Sequence, residues 1–314
     1  MKVVIFGGAG FIGEHYRIFL KEKNVMVISV DIKQSDNAVI SDVRKKIEIN
    51  EAFSSSDIII NLAAIHRTPG HPDFEYFETN IKGAEFVCEF ANRTGIKNIL
   101  FTSSIAPYGA SEEHKTEETL PTPNTPYGIS KLTAEYIHRE WSANDLGKRL
   151  MILRPGVVFG KGENGNFTRL NAAISKGLFF YPGRKDTKKA AIYVKDLVKI
   201  SWDLFHKQTN QVELFNFAYE PSYSIEDIVK VVSSVTGKKT PRLLVNGRLL
   251  LFVASILKFL GLGKLGIHPA RVKKLMTSTN ISGKKLKSAI GNYGYTLKEA
   301  IQDWYYDCEK QNLR

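Results

Sequence analysis

"KVVIFGGAGFIG", residues 2–13, runs four apolar residues into a cluster of four glycines and then into a helix-like stretch. Gly7, Gly10 and Gly13 lie where a strand ends and a helix opens, and Gly8, Gly10 and Gly13 also satisfy the Gly-x-Gly-x-x-Gly spacing. Without a Cβ in the way, backbone N–H groups and a helix N-terminus can approach a pyrophosphate. Phe11 and Ile12, inside the same turn, complete that contact. Eighteen residues after Gly13, Asp31 ends the second apolar run, "VMVISVD". A carboxylate there accepts hydrogen bonds from ribose hydroxyls and repels a 2′-phosphate, so the expected cofactor is NAD rather than NADP. Lys33, two positions on, is the one feature to the contrary.

Working outward, strand-like runs at 3–6, 25–30, 58–62, 99–102 and 150–153 alternate with helix-like stretches at 12–23, 80–94 and 126–141. Strands apolar throughout and separated by helices predict a parallel sheet covered on both faces. The expected fold class is α/β, a Rossmann-type doubly wound sheet with a smaller, mostly helical C-terminal substrate domain. The expected division is residues 1–165, with 190–216 returning to them, against 166–189 and 217–314. With 314 residues, 43% hydrophobic and 24% charged, the chain can bury a sizeable core. The apolar run after Lys2 is too short for a signal peptide, and no uncharged run reaches the roughly 18 residues of a membrane span. A cytoplasmic protein is expected. Cys88 and Cys308 have no metal-like spacing and are assigned no function.

The net charge of +12 is unevenly placed. Up to Gly160 there are 18 Lys and Arg against 20 Asp and Glu; beyond it there are 26 against 12. The basic second half attracts phosphorylated ligands or an anionic surface. It carries no base-stacking aromatic motif, so nucleic acid is not an expected partner.

In "PYGISKLTAE", residues 126–135, Tyr127 and Lys131 stand four apart on a helix and share a face. A neighbouring cation favours phenolate, which makes a phenol a usable base near neutral pH. The strand ending "NILFTSS" carries Ser103 and Ser104 to its carboxyl end, where a hydroxyl can hold a substrate oxygen.

"GGAGFIG", Asp31, "SDV" at 41–43, "NLAA" at 61–64, Asn80 in "NIKG", "FTSSIAPYG", Tyr127 with Lys131, "LRPGVVFG" and "IYVKDL" together resemble the extended short-chain dehydrogenase/reductase family, in order and over nearly the whole chain. The resemblance implies chemistry on diphosphate-linked sugars. Tyr127 is then the acid/base on a sugar hydroxyl, Lys131 binds the nicotinamide ribose and lowers the tyrosine pKa, and Ser104 orients the hydroxyl or ketone, with Ser103 the neighbouring candidate. Asp42 and Val43 are implied by the adenine, Leu62, Ala63 and Ala64 along the cofactor groove, and Asn80 as a further cofactor contact. Ile105 and Ala106 follow Ser104 where family dehydratases carry an Asp-Glu pair. NAD-dependent 4-epimerisation through a transient 4-keto sugar, for surface polysaccharide synthesis, is therefore the expected reaction. The expected substrate is of the UDP-hexose or N-acetylhexosamine type; a 4-keto-sugar reductase, an epimerase of a polyprenyl-diphosphate-linked sugar and a catalytically silent NAD-binding scaffold or regulator are the alternatives.

Asn166 in "NGNFTRL", Lys189 in "PGRKDTKKAAIYV" and Arg271 in "HPARVKKL" are the implied contacts to the diphosphate-linked sugar. Runs such as "NLAAIHR" and "ARVKKLMTSTNI" resemble more narrowly a bacterial branch that includes epimerases of N-acetylglucosamine borne on undecaprenyl diphosphate. Beside them, residues 248–264 hold an apolar helix flanked by cations, either a core helix or a peripheral contact to the inner membrane face. A homodimer paired through two helices is the quaternary arrangement the family implies.

Overall fold

The computed structural model describes residues 1–34, 38–67, 70–259, 269–309 and 313. The chain forms two compact units. The first comprises residues 1–109, 117–155 and 194–217, and the second residues 110–116, 156–193 and 218–314.

The first unit is built from β1 (Lys2–Phe6), α1 (Phe11–Glu22), β2 (Met26–Asp31), β3 (Ala38–Ile40), β4 (Ile58–Asn61), α2 (Asp73–Thr94), β5 (Asn98–Thr102), α3 (Pro126–Ala143) and β6 (Arg149–Pro155). Seven parallel strands form its sheet in the order β11-β6-β5-β4-β1-β2-β3, β11 being the returning strand described below. Strand order reverses between β1 and β4, where Phe6 lies opposite Asn61. Ligands of open α/β sheets bind beyond the carboxyl ends at such a point. The two loops that leave it begin at Gly7 and Leu62.

The apolar runs read from sequence are the central strands. Val3–Phe6, Ile59, Ile60, Ile99 and Leu150–Leu153 expose nothing to solvent, as strands covered on both faces require. Two elements extend beyond the reading. Helix α2 begins at Asp73 rather than at 80: Pro72 precedes it, Asp73 and Glu75 stand in its first turn, and Tyr76 is buried. Strand β3 is three residues long and half exposed, too short to show a pattern.

The second unit contains β7 (Val157–Phe159), α4 (Asn166–Ser175), β8 (Tyr181–Pro182), β9 (Lys188–Lys189) and β10 (Ala191–Tyr193). The chain then re-enters the first unit as α5 (Val194–Lys207) and β11 (Val212–Phe217). It finishes in the second as β12 (Tyr223–Ser224), α6 (Ile225–Thr236), β13 (Leu244–Val245), α7 (Gly247–Phe259), α8 (Pro269–Met276), α9 (Lys284–Ile290) and α10 (Leu297–Asp307). The division thus differs from the expected one at three places. Strand β10 pairs with β7 in the second unit, so the return starts at Val194 rather than at 190. The first crossing falls after Pro155 rather than at 165. Residues 110–116 join the second unit because Lys115 exchanges backbone hydrogen bonds with Asn280 and Ser282, at 2.9 and 2.8 Å, and Glu112 accepts from the Ser278 amide at 2.7 Å. Gly156 lies where the chain crosses into the second unit. A Cβ on it would lie 2.5 Å from the Ala190 carbonyl oxygen, so close approach of two backbones requires the glycine.

Candidate active site

The turn after β1 is shaped by contacts that admit no side chain. Gly7 has φ +81, and its amide and that of Gly8 both donate to the Val30 carbonyl, at 2.9 and 3.2 Å. A Cβ at Gly7 would sit 2.9 Å from the Ala63 nitrogen, one at Gly8 2.2 Å from Ser29 Oγ, and one at Gly13 2.4 Å from the Gly7 carbonyl oxygen. The loops after β1 and β4 therefore touch through bare backbone, and Leu62, Ala63 and Ala64 form the second wall. Helix α1 starts at Phe11 and Ile12 with Gly10 as its cap residue, which supplies no side-chain hydrogen bond to the first amides. Those donors and the positive end of the helix are what a pyrophosphate takes.

Asp31 stands at the end of β2 and accepts from the Ala9 amide at 3.0 Å and the Lys33 amide at 3.0 Å. One carboxylate thus fixes the glycine turn and keeps a negative charge where a ribose would lie. The cradle, the uncapped helix start and this acid fit a dinucleotide. Val43 is buried against Gly83, whereas Asp42 is held well below the ordinary carboxylate pKa by a two-pronged pair with Arg44 at 3.0 and 2.7 Å.

Asn80 is engaged inside the protein. Its Oδ1 accepts from the Ile65 amide at 2.9 Å, and its Nδ2 donates to the Ile65 carbonyl at 3.2 Å and to Ser130 Oγ at 2.8 Å. Ser130 in turn donates to the Tyr127 carbonyl at 2.9 Å. Both amide hydrogens are spent inside the protein, so Asn80 ties the β4 loop to the first turn of α3 and is a positioning residue.

Helix α3 begins at Pro126 because Thr125 accepts from the Gly128 amide at 3.1 Å and proline suits the first helical turn. Gly128 lets that turn close on the loop carrying Ser104, since a Cβ there would lie 2.7 Å from the Ala106 carbonyl oxygen. Tyr127 is half-buried, is hydrogen-bonded with Ser104, and packs on Tyr76 with ring centres 6.2 Å apart. Burial pushes its pKa above the ordinary phenol value, and the bond with Ser104 partly opposes this. Ser104 Oγ also accepts from the Ala106 amide at 3.1 Å, which orients it.

Lys131 is buried, and burial pushes its pKa down to about 7, with Glu135 one turn on acting in the opposite sense. Its ammonium donates to the Thr102 carbonyl at 2.6 Å and lies 4.4 Å from the Phe101 ring centre. Sequence reasoning placed phenol and ammonium against each other. The structure gives the ammonium to the end of β5 instead and sets the tyrosine against Ser104.

Ser103 faces the interior. Its hydroxyl donates to Glu135 at 2.5 Å, and Glu135 forms a two-pronged pair with Arg154 of β6 at 2.9 and 2.6 Å, all three residues being buried. Ser103 is therefore not brought to the site, and Ser104 is. This buried trio was missed by sequence reasoning; its signal was a glutamate at i+8 from Tyr127 on the same helical face, with an arginine in a strand otherwise apolar. His138, one turn below Lys131's neighbour Ala134, stacks on Phe101 at 4.1 Å, and burial pushes its pKa down to about 4.

The three substrate candidates lie in the second unit. Asn166 opens α4, exposed, with its side-chain oxygen on Arg169 at 3.0 Å. Lys189 donates to the Thr277 and Leu275 carbonyls at 2.9 and 3.3 Å, so at least part of its donor capacity serves the C-terminal end of α8. Arg271 belongs to α8, but its side chain lies outside the described residues, as do residues 260–264 of the apolar segment.

Residues 3–218 match the model of the NAD dependent epimerase/dehydratase family. The chain belongs to this family. The N-acetyl-alpha-D-glucosaminyl-diphospho-ditrans,octacis-undecaprenol 4-epimerase of Escherichia coli O157:H7 is 29% identical over 309 residues, covering 96% of this chain and 93% of the relative. UDP-glucose 4-epimerase of Bacillus subtilis (strain 168) is 25% identical over 285 residues, covering 77% and 84%. Among solved structures, UDP-glucose 4-epimerase from Thermotoga maritima superposes with a TM-score of 0.75 at 20% identity, over 99% of each chain. That last likeness is one of fold. Within the family, Tyr127, Lys131 and Ser104 of this epimerase/dehydratase member stand at the motif positions quoted above, beside a turn built for the cofactor that gives the family its name.

Proposed function

We propose that the protein inverts C4 of an N-acetylhexosamine carried on polyprenyl diphosphate, at the inner face of a membrane. The observation that carries the chemistry is the start of α3, where half-buried Tyr127 shares a hydrogen bond with Ser104. When bound, NAD supplies a reversible two-electron acceptor for a carbinol carbon. Tyr127 in its phenolate form accepts the proton of the sugar C4 hydroxyl as that carbon becomes a ketone, and returns it when the carbon is reduced on its other face. Ser104 donates to the same oxygen and keeps it against the phenol. Lys131, buried behind them with a pKa near neutrality, gains a proton readily when a negative charge develops nearby. Ile105 and Ala106 offer no carboxyl beside Ser104 for dehydration, which favours epimerisation.

The carrier is argued from extent and surface. The undecaprenol-linked relative aligns with 96% of this chain, whereas the B. subtilis UDP-glucose enzyme aligns with 77%. Among the described residues no helix is long and apolar enough to cross a membrane. Helix α7, 13 residues long, instead exposes Leu249, Phe252, Val253 and Ile256, with Arg248 and Arg242 nearby in sequence. Such a surface suits a peripheral contact with anionic lipid. Pairing of two copies through helices of the first unit is part of the same proposal, supported by exposed Phe74 on α2 and Ile129 and Tyr136 on α3.

The test is incubation of the NAD-loaded protein with UDP-N-acetylglucosamine and, separately, with its polyprenyl-diphosphate counterpart, reading C4 configuration by NMR. Inversion of the lipid-linked sugar is expected. Inversion of the nucleotide form alone overturns the carrier assignment, and inversion of neither overturns the reaction.

A further inference from the structure

The second unit holds an open cavity of about 450 Å³ at the start of α7. Gly183, Arg184, Asn246, Arg248, Leu251 and Met276 line it. Its floor depends on small residues, since a Cβ at Gly247 would lie 2.5 Å from the Met276 sulfur and one at Gly183 would lie 3.0 Å from it. Along β8, Tyr181 and Gly183 give their amides to the Leu243 and Val245 carbonyls, both at 2.8 Å, Arg184 gives its amide to Pro182 at 2.9 Å, and Pro182 has none. These amides are spent within the protein and offer no donor to the edge of a heteroaromatic base.

What the cavity offers is cation and hydrocarbon. At one side is the start of α7, where Asn246 Oδ1 accepts from the Arg248 and Leu249 amides at 2.9 and 3.3 Å and Arg248 stands exposed. Beside it, the Arg184 guanidinium is held in place by Glu112 at 2.5 Å and Ser278 at 2.7 Å. Arg184 is thus committed to its carboxylate partner, and exposed Arg248 at the start of α7 is the guanidinium that can face a phosphate. On the other side are Leu251 and the Met276 thioether, a flexible apolar surface that adapts to a branched chain. Helix α7 continues this surface outward through Phe252, Val253 and Ile256, all exposed.

We propose that this cavity seats the first isoprenoid units of a polyprenyl diphosphate, Arg248 facing the phosphate side and Leu251 with Met276 packing on the hydrocarbon, the chain leaving along α7. The assignment rests on the lipid-linked reading above and adds to it the residues that tell a lipid carrier from a nucleotide.

Farnesyl diphosphate is a soluble probe of this site. Its binding to the NAD-loaded full chain is measured by titration calorimetry, with inorganic pyrophosphate and UDP as comparators. Farnesyl diphosphate is expected to bind at least about tenfold more tightly than pyrophosphate, an advantage that Leu251→Asp abolishes while NAD binding stays unchanged. Arg248→Gln, at an exposed position that should not disturb folding, is expected to weaken farnesyl diphosphate and pyrophosphate alike by about tenfold. Equal binding of farnesyl diphosphate and pyrophosphate by the wild-type protein overturns the proposal. So does a farnesyl advantage that survives in Leu251→Asp. Turnover of the lipid-linked sugar unaffected by either substitution leaves the function standing and removes the cavity from it. A variant-sensitive farnesyl advantage without turnover of the lipid-linked sugar supports the cavity and overturns the function.

Discussion

Helices α3 and α7 break the rule of inside and outside in opposite directions. Helix α3 buries Lys131, Glu135 and His138, three groups that water would hold, whereas α7 exposes Leu249 and Phe252 at 56% and 64%. Each buried group on α3 has a partner: Thr102 for the lysine, Arg154 and Ser103 for the glutamate, Ala134 and Asn61 for the histidine. Burial of charge is tolerated only with such partners, so α3 is locked into one arrangement. Helix α7 shows the reverse economy, since hydrocarbon left in water costs little unless something else removes it from water. One helix is built to hold a reacting group still, the other to meet a surface.

The sharpest way to break this contrast is to remove the proposed acid/base on α3. Tyr127→Phe should lower kcat by a factor of about 10² to 10⁴, the usual contribution of a positioned acid/base, with NAD binding unchanged. Steady-state turnover and calorimetric binding of the cofactor check both halves. Retained turnover would make α3 a purely structural helix. About two turns along the helix and deeper, Glu135→Ala should leave Arg154 buried without its carboxylate, costing about 3–5 kcal/mol of stability in denaturant unfolding. Combining Glu135→Leu with Arg154→Met should recover most of that loss. If it does not, the pair contributes more than charge balance.

The pH dependence of stability follows from Lys131. Its pKa is depressed to about 7 in the folded protein, against about 10.4 in an unfolded chain. Between these values the unfolded chain holds a proton that the folded one lacks, so stability rises with pH through that window and is lowest below it. Lys131→Met should flatten the rise and add stability on the order of 4 kcal/mol near pH 6. His138 acts on the acid side, where its pKa of about 4 makes stability fall as pH drops from 6.5. Parallel wild-type and Lys131→Met curves from chemical denaturation across pH 6–10 would mean the lysine is solvated.

The adjacent serines divide function from folding most finely. Ser103→Ala strips a hydroxyl from the buried Glu135 and should cost about 1–3 kcal/mol with kcat nearly unchanged. Ser104→Ala should do the opposite, lowering kcat with little change in thermal stability. A reversed pattern would put Ser103 in the site.

The contrast also marks where sequence reading succeeds. The glycine turn, Asp31 and the Tyr127–Lys131 spacing were legible because each depends on local geometry: a strand end, a turn without Cβ, a helical period. The strands were legible because burial on both faces leaves continuous apolar runs. The Ser103–Glu135–Arg154 trio was not, for it joins β5, α3 and β6 through tertiary packing that no short spacing encodes. The choice between two neighbouring serines turned on which way β5 presents its last side chains. Lys189 was read as a cation for phosphate, and its engagement with the end of α8 depends on chain nearly 90 residues away. The apolar character of α7 was plain in the sequence, but whether it faced core or solvent was not, because its hydrophobic residues ring most of the helix.

The smallest expected effect is on that helix. Replacing Leu249 and Phe252 together by serine removes hydrocarbon that the fold does not use, so stability in denaturant should change by less than about 0.5 kcal/mol. The same exchange at two core positions, such as Ile152 and Ile99, both fully buried, should cost several times more and is the control. The pair of measurements decides between the two ways a helix can carry apolar residues. If the serine variant loses 2 kcal/mol or more, a scale set by buried side chains, Leu249 and Phe252 are packed in solution, and a second copy of the chain covers them. If stability holds while sedimentation with anionic vesicles is lost, the residues serve a lipid surface, and α7 differs from α3 in purpose as well as in exposure.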